Sequence, residues 1–207
     1  MVEKWRKTLL PFMEKAQQEL GQLDPFLLAA RSGLEYEGSA REGRFAGDLF
    51  GQRHLINYPD FTVRLADSDE PSSPERQSMF LHYLRTADGT RLADRWISFR
   101  ELPDGAFYHR AFQGYCGDRL ARTFGNEPEL FRQAARVVGG TRLSLGDVAF
   151  AFQALPRVPL AVVYWLGDEE FPPTAQVLFD ASASHYLPTD GLAVLGNWLC
   201  DRLVKGG

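Results

Sequence analysis

The sequence predicts an α+β fold: a mixed, largely antiparallel sheet packed with several helices, as a single domain over residues 1–207. Three observations carry this. Strand-like runs and helical periodicities are interspersed without the strict β-α alternation of a doubly wound fold. One run, PLAVVYWL, has no polar residue over eight positions and so belongs at the centre of a sheet covered on both faces. The composition, 44% hydrophobic and 24% charged over 207 residues, is that of a globular chain burying about 70% of its unfolded surface without a disulfide or metal staple.

The elements follow in order. Trp5, Leu9, Phe12, Met13, Ala16 and Leu20 recur at helical spacing, and Gly21 closes that helix. Its apolar stretch TLLPF is too short for a secretion signal. A second helix starts with Asp24 as N-cap and Pro25 in the first turn, and ends at Gly33. LEYE, RFAGDLF, HLINY and FTVRL then read as strands separated by turns at Gly38-Ser39, Gly51-Gln52 and Pro59-Asp60. An exposed loop near residues 67–74 leads to Ser73-Pro74, which starts the helix ERQSMFLHYLRT.

Arg95 to Glu101 reads as a strand with Trp96, Ser98 and Arg100 on one face. Helical stretches over Gly105–Thr123 and Glu127–Val137 precede three strands, DVAFAFQAL, PLAVVYWL and AQVLFDA. A final helix starts near Pro188-Thr189-Asp190 and carries Leu192, Leu195, Leu199 and Leu203.

Charge and cysteine usage narrow the function. A net charge of −4 gives no basic footprint for nucleic acid. No apolar run approaches the ~18 residues of a membrane span, so a soluble, cytoplasmic protein is expected. Cys116 and Cys200 are too few for a disulfide scaffold or a four-thiolate metal site. His54, His82, His109 and His185 show no H-x-x-x-H spacing, and no phosphate-binding loop, dinucleotide turn or nucleophile elbow is present.

Two places remain where chemistry is expected. In a continuous helix after Asp104, Arg110 lines up with Gly114, Gly117 and Ala121. A glycine inside a helix costs ~1 kcal/mol relative to alanine. Two on one face therefore indicate close approach to the backbone, either by a strand, with Arg110 paired to a buried carboxylate, or by an anionic ligand held in the Arg110 guanidinium fork, unless the helix breaks at Gly114. Tyr108, His109 and Arg100 would lie near such a pocket. His109 does not activate Cys116, because seven residues of helix separate them by ~10 Å along the axis. The second place is Asp168-Glu169-Glu170 after PLAVVYWL, with Asp180 closing the next strand. These four carboxylates converge on a hard-cation site only if the two strands run parallel.

The strings WISFRELPDGAFYHRAFQGYCGDRLARTFG and LPRVPLAVVYWLGDEEFPPTAQVLFDASASHYLPTD resemble the bacterial and archaeal family called domain of unknown function 3786. The likeness covers most of the chain and is strongest from Trp96 to Asp190. It implies no activity and no catalytic residues. Cysteine clusters suited to iron–sulfur centres, which the resemblance implies for some members, have no C-x-x-C counterpart in this sequence. No cofactor is therefore assigned.

Three functional readings follow. The first is a small-molecule or cofactor-binding domain with an arginine-headed pocket for an anionic group. The second is an accessory or protein-interaction module serving a metalloenzyme system. The third is a metal-dependent hydrolase using the clustered carboxylates.

Overall fold

The computed structural model describes the backbone of residues 2–206 and the side chains of residues 9–206, so the side chain of Trp5 lies outside the described residues. The fold is α+β, with the strands of the described residues divided between two antiparallel sheets, one of four strands and one of five. Two compact units contain them.

The first unit runs from the N-terminal helix to Arg91, with Leu155–Arg157 and His185–Pro188. It contains α1 (Val2–Leu20), α2 (Pro25–Ser32), the meander β1 (Glu35–Gly38), β2 (Gly43–Leu49), β3 (Gln52–Tyr58) and β4 (Val63–Leu65), and α3 (Pro74–Thr86). The expected caps are in place: Asp24 accepts from the Phe26 N–H at 2.9 Å, and Ser73 Oγ faces the Arg76 N–H. Alternation along β2 and β3 turns Phe45 and Ile56 inward, where Phe45 packs with Tyr58 and Phe61. Buried Tyr83 donates to the Ser32 carbonyl and accepts from the Arg157 N–H at 3.0 Å, so α3 holds both α2 and the 155–157 turn.

The second unit comprises Leu92–Ala154, Val158–Ser184 and the chain from Thr189 onward. Its sheet contains β5 (Trp96–Ser98), β6 (Thr141–Leu143), β7 (Val148–Leu155), β8 (Val158–Trp165) and β9 (Thr174–Asp180). The apolar run predicted to be central forms β8, between β7 and β9, and Leu160 through Tyr164 are buried. Its helices are α4 (Gly105–Tyr115), α5 (Gly117–Phe124), α6 (Pro128–Val137) and α7 (Thr189–Gly206).

Two expectations need correction here. The strand predicted over Arg95–Glu101 ends at Ser98, and Phe99–Glu101 form a 3-10 turn. Glu101 causes the stop: its carboxylate accepts from both the Ser98 N–H and hydroxyl at 2.8 Å, and these bonds hold its pKa below the ordinary value. Arg100 therefore sits on an exposed turn rather than on a strand face. The helix predicted over Gly105–Thr123 is two helices meeting at Cys116, whose φ of −108° and ψ of −87° leave the helical region.

Candidate functional site

α4 is fixed by one face and left bare on the other. Phe112 is buried, stacked on Phe99 at 4.2 Å between ring centres and 5.8 Å from Phe179 of β9. Phe107, Arg110, Ala111 and Gly114 follow the i, i+3, i+4, i+7 rule and share one stripe. Phe107 is 92% exposed, and Arg110 and Ala111 are exposed beside it. An added Cβ at Gly114 would meet nothing within 4 Å. Arg110 has no ion pair or hydrogen-bond partner among the described residues.

The break at Cys116 shapes the rest. In a straight helix Gly114 and Arg122 would lie ~12 Å apart along the axis. Here Arg122 Nη2 faces the Gly114 carbonyl at 3.4 Å, across the break at Cys116. Arg122 thus reaches the main chain of the glycine that follows Arg110 by one helical turn. The turn is held from below. Gln113 Nε2 donates to Asp118 Oδ1 at 2.8 Å and to the Ala175 carbonyl at 2.9 Å. Arg119 pairs with Asp201 of α7 at 2.8 Å.

The two glycines under Arg110 therefore have different reasons. A Cβ on Gly117 would lie 2.1 Å from the Ala175 carbonyl oxygen, so close packing of β9 demands that glycine. Gly117 starts α5 and does not floor a slot beneath Arg110. Only Gly114 remains open.

The other predicted site residues scatter around the stripe. Tyr108 is 6.5 Å from Phe99 and 6.3 Å from Tyr115 between ring centres, and is partly exposed. His109 Nδ1 donates to the Ala106 carbonyl of its own helix at 2.8 Å, which leaves Nε2 as the acceptor of the neutral ring. No carboxylate or nucleophile among the described residues is bonded to it. Phe107 and Arg122 were not singled out from the sequence. A large apolar residue on the same arc as Arg110 was the available signal for Phe107. The helix break that Gly114 allowed falls two residues later, at Cys116, and nothing in the sequence places it there or brings Arg122 to it.

The acidic candidates do not converge. β8 and β9 are antiparallel, with Trp165 opposite Thr174, so Asp168, Glu169 and Glu170 lie in the hairpin loop. Asp180 lies six residues beyond Thr174, ~20 Å along the strand, opposite Trp96. Each aspartate has a local task. Asp168 Oδ1 accepts from the Glu170 and Phe171 N–H groups at 2.9 and 2.8 Å, and these bonds depress its pKa. Burial pushes the Asp180 carboxyl up, but the Ser182 hydroxyl and the Ala93 and Ser182 N–H groups outweigh it and hold the pKa low. Among the described residues no group of three or more His, Cys, Asp or Glu side chains is placed to hold a metal ion.

Two further clusters are structural in geometry. In the first unit, Asp88 Oδ2 accepts from His185 Nδ1 at 2.7 Å and Asp88 Oδ1 from the Thr90 N–H at 2.9 Å, and chiefly the histidine bond holds Asp88 down to about 2. In the second, Cys116 and Cys200 are free and buried, and burial, with Cys200 adding to it, pushes the Cys116 thiol well up.

No helix among the described residues is long and apolar enough to cross a membrane. A family model described as a domain of unknown function, DUF3786, matches residues 24–202. No curated protein and no solved structure matches the chain.

Proposed function

The chain belongs to the DUF3786 family, and we propose that it is a protein-interaction module whose α4 stripe docks an acidic, apolar-anchored segment of a partner protein. The observation that carries this is the 92% exposure of Phe107 beside an unpaired Arg110. Burying one exposed phenylalanine is worth about 1.5–3 kcal/mol. Aromatic and arginine side chains are enriched where partners bind most tightly. Arg110 and Arg122 set the sign of the partner: carboxylates are matched by their guanidinium forks, and a basic segment is repelled.

The open floor at Gly114 favours a second reading, a small anionic ligand between the same two arginines. Ligand sites for small molecules usually bury most of the ligand in a cleft. The exposure of Phe107, Arg110 and Ala111 suits a broad protein surface better.

The two readings separate in one titration of the isotope-labelled full chain, followed by amide NMR shifts. A short synthetic Glu/Leu peptide is expected to move Phe107, Arg110, Ala111 and Gly114, and to bind at least tenfold more weakly to Arg110→Glu. Shifts at those residues with citrate, and none with the peptide, would transfer the site to a small anion. Silence with both would remove the proposal.

A further inference from the structure

At one end of the second unit's sheet, three loops meet in a frame of hydrogen bonds. Asn126 Oδ1 accepts from the Gly167 N–H at 2.7 Å, and its Nδ2 donates to the Gly167 carbonyl at 3.3 Å. Asp147 Oδ2 accepts from the Leu166 N–H at 2.8 Å. The Asp168 carboxylate closes the loop between β8 and β9 from within. A loop already held in this way loses little conformational entropy when something binds to it.

What the frame presents is apolar. Leu145, Trp165, Leu166 and Phe171 are exposed, and Phe171 reaches 67% exposure. Residue pairs across the loops bring together the backbone segments that carry these side chains, and the Asp168 N–H donates to the Phe171 carbonyl at 2.9 Å. Leu166 is bonded to Asp147, two positions from Leu145, and a Cβ on Gly146 would lie 3.3 Å from the Trp165 indole nitrogen. A cluster of large apolar side chains at the surface is a usual mark of an interaction site.

The three loops themselves carry charge of one sign. Residues 125–127, 144–147 and 165–173 contain five carboxylates, Glu127, Asp147, Asp168, Glu169 and Glu170, and no Lys, Arg or His. The whole chain carries −4, so this charge is concentrated here and not a local sample of the average. Glu169 and Glu170 are exposed, and neither carboxylate has an ion pair or hydrogen bond among the described residues.

We infer that this end of the sheet is a second docking surface, for a basic protein segment that lays an apolar side chain against Trp165, Leu166 and Phe171 and sets Lys or Arg side chains against Glu169 and Glu170. Potentials of opposite sign steer encounter and suppress wrong partners. The α4 stripe selects an acidic segment, so the two surfaces select different partners.

The probe is a short synthetic Lys/Leu peptide titrated into the labelled full chain and followed by amide NMR shifts, with the α4 resonances read in the same spectra. Expected are shifts centred on residues 145–147 and 165–171, weakened at high salt, and at least tenfold weaker binding to Glu169→Lys/Glu170→Lys. A second variant, Phe171→Ser, removes the apolar anchor and keeps the charge; it is expected to weaken binding severalfold. A Glu/Leu peptide is expected to leave these loops unmoved. Unmoved loops with the Lys/Leu peptide, or equal binding by the charge-reversed chain, overturn the inference whatever α4 does. Loop and α4 shifts that grow with protein concentration and no peptide would assign the surface to a second copy of this chain, and overturn it too.

Discussion

At the residue scale the sharpest contrast is between Gly114 and Gly117. The sequence marks both as helix glycines that something must approach, and only one is approached. Gly117→Ala is expected to destabilise the chain by roughly 1–3 kcal/mol, because the new methyl group would lie 2.1 Å from the Ala175 carbonyl oxygen, main chain that cannot swing aside as the nearby Gln113 amide can. Gly114→Ala is expected to stabilise by about 0.5–1 kcal/mol, because alanine restricts the unfolded chain and meets nothing in the folded one. Urea denaturation of the two variants measures both signs. Asp88 gives a test in pH. Its carboxyl is held down to about 2 by His185, so its contribution is present above the ordinary carboxylate pKa and is lost as pH falls from about 4 towards 2. Asp88→Asn should therefore be less stable than the parent near neutral pH, and the gap should close across that acid window in acid-dependent denaturation curves. Arg110 was legible as a residue of interest because its neighbours are unusual. Its exposure was not, since exposure depends on what the rest of the chain leaves uncovered.

At the element scale, β8 was legible because burial on both faces leaves no room for a polar side chain in PLAVVYWL. The caps of α2 and α3 were legible because Asp24-Pro25 and Ser73-Pro74 are local signals. The break between α4 and α5 was not. Helical periodicity runs through Cys116, and the competing forces come from tertiary packing: the Ala175 carbonyl against Gly117, and Asp201 against Arg119. β5 failed for a local reason instead: a capping glutamate three residues after Ser98 ends the strand, and that spacing is present in the sequence. The kink also buries a thiol pair between α4–α5 and α7. Cys116 and Cys200 are fully buried, and Cys116 is held protonated by its surroundings. Both should stay unreacted with an aromatic disulfide reagent in the native chain and react within minutes in denaturant. Rapid labelling of either thiol under native conditions would show that α7 opens readily.

At the scale of the whole molecule, composition and pattern anticipated an α+β chain but not the division of its strands between two sheets, since pairing partners lie far apart in sequence and local propensity does not name them. β5 pairs with β9 across most of the second unit. The antiparallel hairpin of β8 and β9 also decided the fate of the acidic candidates, by sending Asp168 and Asp180 to opposite ends. What remains is a surface in which charge and exposed apolar side chains are sorted together: Phe107 with Arg110 and Arg122, and Phe171 with Glu169 and Glu170. Whether the first of these surfaces binds an acidic protein segment can be read in the native cell. A photoreactive benzoylphenylalanine replaces Phe107, with the same residue at exposed Phe26 as the control. A light-dependent adduct is expected from position 107, mapping to an Asp/Glu-rich segment of one partner and disappearing when Arg110→Glu and Arg122→Glu are added. No adduct above the Phe26 control, or an adduct indifferent to the two charge reversals, would contradict it.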